Sequence, residues 1–93
     1  MAEAFVNKLY ATNRNNRSRL IGVFGRMSSA TRVVDRLIQR DLRKYKSHLL
    51  EAPSHHFHWE DDKLFMHYWF YLRFPHGKRK EIHRKFEIRE EPL

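Results

Sequence analysis

The chain has 93 residues, no cysteine and a formal net charge of +8 at pH 7. That length holds one domain with a modest core, and the lack of thiols excludes a disulfide scaffold, thiolate catalysis and any Cys-based zinc finger. The longest apolar-rich run, Leu64 to Phe74, is too short to span a bilayer as a helix, which takes about 20 residues, so no membrane partner is expected.

Taken in order, Ala2 to Thr12 reads as a short helix with Phe5 and Leu9 on one face. Asn13-Arg14-Asn15-Asn16-Arg17-Ser18 breaks it, because Asn and Ser compete for backbone hydrogen bonds, and Ser18 is placed to cap a second helix. From Leu20 the apolar or neutral positions step by three and four through Phe24, Met27, Thr31, Val34, Ile38, Leu42, Tyr45 and Leu49, the spacing of a helical face. Gly22, Gly25 and Ser28-Ser29 weaken the middle of this pattern. It therefore divides into helices over 18–26 and 29–51, the latter ended by Pro53. A short strand over 20–24 is the alternative to the former. The helix over 29–51 opposes its apolar stripe with a row of Arg32, Arg36, Arg40 and Arg43. Asp41 and His48, at the stripe's edge beside Tyr45, read as a local polar pair or a buried hydrogen bond.

After Pro53 the period falls to two. Residues 55–59 alternate, Glu60 to Lys63 is a turn, and Leu64 to Phe74 is rich in strand formers. Pro75-His76-Gly77-Lys78 is a second turn, and Lys80 to Arg89 alternates through Ile82, Phe86 and Ile88. Pairing Phe74 with Lys80 sets Leu72 against Ile82, Tyr68 against Phe86 and Met66 against Ile88, which gives one apolar face. The other face then carries Phe65, His67, Trp69, Tyr71 and Arg73. The expected fold is α+β: two or three N-terminal helices on a C-terminal three-stranded antiparallel meander. It forms one domain, with a basic helical part over 1–52 and a β part over 53–93.

The positive charge is unevenly placed. Residues 1–50 carry the whole excess, mostly between Arg14 and Lys46, and residues 51–93 balance their bases with acids. Such a surface attracts polyanions, because each phosphate neutralised by Lys or Arg releases a condensed counterion. The Arg-rich, acid-poor start has the composition of an organellar transit peptide but lacks the apolar stretch of a secretory signal, and Met1 reads against a cleaved leader. A reducing cytoplasmic setting is the simplest expectation, with an uncleaved organellar protein as the alternative.

The expected function is non-enzymatic binding of nucleic acid, with RNA or a ribonucleoprotein favoured over a DNA operator. Arg32, Arg36, Arg40 and Arg43 contact phosphate in this reading, aided by Arg14, Arg17 and Arg19, with Lys78, Arg79 and Lys80 as a second contact at the hairpin tip. Trp69 and Tyr71 are candidates for base stacking, set against packing beneath a helix. A winged-helix arrangement fits poorly, since its third helix is too long for a recognition helix. The rival from another class is a module that docks on an acidic protein, as an inhibitor or an accessory subunit. The third reading is a small endoribonuclease. In the expected register His83 opposes Tyr71 and His67 opposes Glu87, with Arg73 and Lys85 adjacent, a set able to move protons and stabilise a phosphorane. His56, His58 and His67 lack a fourth ligand at a recognisable spacing, so no metal or cofactor is expected.

Overall fold

A computed structural model describes residues 4–93; residues 1–3, including the predicted helix start at Ala2, lie outside the described residues. The elements are β1 (Phe5–Thr12), β2 (Ser18–Phe24), α1 (Met27–Lys44), a 3-10 turn (Lys46–His48), β3 (Ser54–Glu60), β4 (Lys63–Arg73) and β5 (Arg79–Pro92). The strands form one antiparallel sheet in the order β2-β1-β5-β4-β3. This corrects the expected architecture. Among the described residues there is one long helix instead of two or three, and the sheet has five strands instead of three.

Both N-terminal segments expected as helices are strands, and the reason lies in the spacing used to read them. An apolar pair at i and i+4 shares a helical face, but four is also an even step, so the same pair shares a face of a strand. Tertiary pairing decides between the two. Leu9 is fully buried opposite Ile88, and Ala11 lies opposite Phe86. Val6, Tyr10, Ile21, Val23 and Phe24 are β-branched or aromatic, types that lose χ1 freedom in a helix and pack well on a pleated surface. The polar run between them is a hairpin loop. Asn13 Oδ1 accepts the backbone N–H groups of Asn15 (2.9 Å) and Arg17 (3.0 Å). Asn16 takes the left-handed conformation, φ 59°, which Asn tolerates better than most residues.

The expected helix over 29–51 begins earlier and ends sooner, at Met27 and Lys44. Arg43 and Lys44 lie in its last turn, where cations complement the helix dipole. Its two faces divide as the spacing predicts: Ala30, Val34 and Ile38 are buried, whereas Arg32, Arg36, Arg40 and Arg43 are exposed. The buried side packs on Leu9, Leu64, Met66, Phe86 and Ile88, which form the main core. A second cluster of Phe70, Leu72 and Ile82 lies under Tyr45, Leu49 and Phe74, and Leu49 bridges Leu72. The helix lies over β2, β1 and β5, and every residue of β3 stays exposed. No helix of the described residues is long and apolar enough to cross a membrane.

The β3-β4-β5 meander forms where the alternation places it. Its β4–β5 register is displaced by two residues from the expected one, with Lys80 opposite Leu72 and Ile82 opposite Phe70. The turn explains this: Phe74 N–H donates to Lys78 O (2.9 Å) and Gly77 N–H to Phe74 O (2.9 Å), with Gly77 at φ 76°. An even displacement leaves each side chain on its face, so the expected division of faces stands while the opposed pairs change.

Substituting Leu9→Ala is expected to cost about 2–5 kcal/mol in urea denaturation, the range for emptying a buried leucine site. Arg36→Ala, on the exposed side of α1, is expected to change stability by no more than about 0.5 kcal/mol.

Candidate nucleic-acid interface

β5 is longer than the strand beside it. β1 pairs with Lys85–Pro92 and then ends at Thr12, so Arg79–Arg84 pair with β4 alone. The β1–β2 loop rises beside that free edge. Between them lies an open groove of about 870 Å³, with Arg14, Arg17 and Arg19 on one wall and Lys80, Arg84 and Lys85 on the other. Two predicted base clusters, the loop and the hairpin tip, therefore meet through Arg14, Arg17, Arg19 and Lys80. Lys78 and Arg79 extend the tip past this groove, and Arg32, Arg36, Arg40 and Arg43 line no part of it. The α1 row and the groove are separate surfaces.

The sheet face opposite α1 forms the groove's other flank. Strand registers place Ser18, Thr12, Lys85, His67 and His56 on one rung across all five strands. The next rung toward the hairpin tip holds His83, Trp69 and Ser54, and the one after it Glu81 and Tyr71. Trp69 and Tyr71 are half-buried and lie on the face that α1 leaves uncovered. The Trp69 ring rests against His67 at 5.0 Å between centroids.

Within this face His67 Nε2 lies 2.7 Å from His83 Nδ1, and His83 Nε2 lies 2.8 Å from Glu81 Oε1. A carboxylate accepts only, so Glu81 takes the Nε2–H of His83. With both imidazoles neutral, Nδ1 of His83 is then the acceptor for Nε2–H of His67. In that tautomer the free nitrogen of the chain is Nδ1 of His67, a lone-pair base on the rung of Lys85. Burial lowers the His67 pKa from its ordinary 6.5, and His83, Lys85 and His56 lower it further.

The expected pairs of the catalytic reading are corrected by the two-residue displacement. His83 faces Trp69 instead of Tyr71, and His67 faces Lys85 instead of Glu87. Tyr71 faces Glu81, and Glu87 faces Phe65. Sequence reasoning missed Glu81 and Arg84 as site residues, and named Lys85 only beside the expected catalytic set. The signal was present in Glu81-x-His83-x-Lys85, which alternation puts on one face of a strand. The expected local pair of Asp41 and His48 is also absent. Asp41 Oδ2 instead accepts Arg84 Nε at 2.8 Å, tying α1 to the groove wall, and His48 packs on the Phe74 ring at 5.1 Å. His56 and His58 stand on the same face as His67, but among the described residues no three His, Asp or Glu side chains converge in a metal-holding group.

Comparison of the chain with protein-family models, with curated proteins and with solved structures finds no match.

The His67 shift has a measurable sign. Its folded pKa lies below its unfolded value, so the unfolded chain takes up the proton first. Any stability tied to neutral His67 is intact above pH 6.5 and is lost as pH falls through the folded pKa. NMR titration of the His67 ring should give a midpoint below 6.5. Lys85→Gln should move that midpoint upward but not restore it fully, because burial is the larger cause.

Proposed function

We propose that the protein binds RNA, with the phosphate backbone running along the groove between the β1–β2 loop and the free edge of β5. The observation that carries this reading is the convergence of Arg14, Arg17 and Arg19 with Lys80, Arg84 and Lys85 around one concave surface. Cations from two distant stretches of sequence meet there, and a solvated charge run needs no such meeting. Half-buried Trp69 and Tyr71, with His67 and His83, give the adjoining face rings on which unpaired bases stack. Those rings favour RNA over an acidic protein. The exposed arginine row of α1 adds a sequence-independent attraction to phosphate.

Fluorescence anisotropy with a labelled RNA oligonucleotide tests this. About six phosphate contacts to a single strand give a slope of log K against log salt near −4. Charge reversal at Arg17 and Lys80 together should weaken binding by about tenfold or more at low salt, and Arg36→Glu should weaken it less. No detectable RNA binding at low salt defeats the proposal. A stoichiometric protein that copurifies after nuclease treatment then supports the acidic-partner alternative.

The His67–His83–Glu81 chain beside the groove favours a second reading, in which the bound RNA is cut. His67 Nδ1 takes the proton of a ribose 2′-hydroxyl as that oxygen forms a bond to phosphorus. The P–O5′ bond breaks, the 5′-oxygen leaves as a hydroxyl by taking a proton from water, the hydroxide so formed takes back the proton held by His67, and a 2′,3′-cyclic phosphate remains. Lys85 and Arg17 stabilise the charge on the phosphorane. Mass analysis of incubated RNA should show cyclic-phosphate ends, and His67→Ala should remove them while RNA binding persists. Intact RNA with the native protein eliminates cleavage and leaves the binding reading standing.

A further inference from the structure

The groove that gathers the cations also holds a carboxylate. Among the described residues that line it, Glu81 is the only acid. On a path for phosphate a fixed negative charge repels the ligand, so its presence there needs a function of its own. One use is visible: Oε1 of Glu81 accepts Nε2–H of His83 at 2.8 Å. That contact occupies one lone pair, and a carboxylate offers about four acceptor sites on its two oxygens. Among the described residues Oε2 meets no donor, and the side chain is 47% exposed.

The fold sets Glu81 where the groove meets the aromatic face. β1 stops at Thr12, opposite Lys85, so β5 has no strand on that side at position 81. On its other side lies β4, with Tyr71 directly opposite. Opposed residues of antiparallel strands hold their Cβ atoms about 4.5–5.5 Å apart. Both side chains stand on the sheet face that α1 leaves uncovered, and Tyr71 is half-buried there. A base stacked on the Tyr71 ring therefore turns one edge toward the carboxylate.

Resting on the RNA-binding reading, we infer that Glu81 reads the base held on Tyr71 and selects guanine. Unstacked bases of single-stranded RNA are read along their Watson–Crick edges. Guanine is the one common base whose edge places two donors side by side, N1–H and the N2 amino group. A carboxylate accepts both at once, as a charge-assisted bidentate pair. Adenine and cytosine set a ring-nitrogen lone pair beside their amino group, and uracil flanks N3–H with two carbonyl oxygens. Each of these turns a lone pair on the carboxylate and is disfavoured. The bond to His83 holds the carboxylate in place before the base arrives, as a recognition site requires.

Anisotropy at low salt, with short oligouridines carrying one central guanosine, inosine, adenosine or cytidine, tests the inference. The native protein should bind the guanosine oligonucleotide about tenfold more tightly than the adenosine, cytidine or all-uridine ones, within the range of a bidentate base contact. Inosine keeps N1–H but lacks the N2 amino group, so its affinity should fall between them. Glu81→Gln then separates base reading from charge. Loss of a repulsive charge should tighten binding of the all-uridine oligonucleotide, whereas loss of an acceptor should abolish the guanosine advantage. A role confined to orienting His83 predicts no change in base preference, because the glutamine carbonyl still accepts from His83. The inosine comparison uses the native protein and holds whether or not the variant folds. Equal binding of all the oligonucleotides by the native protein overturns the inference and leaves RNA binding intact. So does a guanosine preference that survives in Glu81→Gln. Failure of every oligonucleotide to bind removes the RNA-binding reading and this inference with it.

Discussion

The pairing of β1 along the C-terminal part of β5 sets the rest of the molecule. It buries Leu9 against Ile88 and brings Ala11 beside Phe86, and these side chains make the floor on which Val34 and Ile38 of α1 rest. Without that floor the apolar stripe of the helix has no partner wide enough to bury it, and an amphipathic helix gains most of its stability from such burial. The pairing also stops early. Asn13 turns the chain at Thr12, so the start of β5 runs on with β4 alone and leaves a step in the sheet. The groove is that step. Its bases come together because a short hairpin stands beside a long one.

How much of this was legible in the sequence depended on which period carried the signal. Phe57, Met66, Ile82 and Phe86 alternate clearly, and the three C-terminal strands follow from them. The arginine row of α1 follows equally from the three-and-four spacing after Ala30. The first two strands did not follow, because Phe5 to Leu9 is a step of four, on which helix and strand agree, and because the bulge at Ile21 breaks the alternation of β2 and sets Leu20 and Phe24 on opposite faces. Composition held the better clue: two runs rich in β-branched and aromatic residues flank an asparagine-rich loop, which is a hairpin signal. The β4–β5 register was open for a different reason. Displacements by even numbers preserve both faces, so only the geometry of the Pro75–Lys78 turn chooses among them. The histidine chain depends on that choice, which is why His67 and His83 were named but matched with the wrong partners and Glu81 was missed.

The sheet face away from α1 is less bare than its lack of a second helix suggests. Glu87, on that face, is only 8% exposed. A buried carboxylate is costly unless paired, and Arg89 meets it at 3.1 Å while Lys63 stands at 3.9 Å. The Arg89 guanidinium also lies 4.2 Å from the centre of the Tyr10 ring, a favourable stacking of cation on aromatic face. The hydrogen bond from Arg89 to Glu87 raises the Arg89 pKa above its ordinary value. Arg89 Nε is left without a partner, a cost the network carries. Tyr10, Arg89, Glu87 and Phe65 thus cover the middle of this face with their own side chains, and the uncovered rings of Trp69 and Tyr71 lie nearer the groove.

The fold also sorts charge in a way the linear sequence conceals. The second half of the chain balances acids and bases, yet β4 and β5 carry most of them to opposite ends of a molecule 60 Å long. Lys78, Arg79 and Lys80 lie at the end shared by the β1–β2 loop and the last turn of α1, where Asp41 meets Arg84. Glu60, Asp61 and Asp62 lie at the other end with Glu90 and Glu91, and Glu90 N–H donates to Asp62 O at 3.2 Å. Charges screen each other over about 10 Å at 0.1 M salt, so the two ends act separately. A polyanion approaching the groove therefore meets a field more positive than the net charge implies, because Glu60, Asp61, Asp62, Glu90 and Glu91 stand too far away to oppose it and Glu81 is the one second-half acid lining the groove.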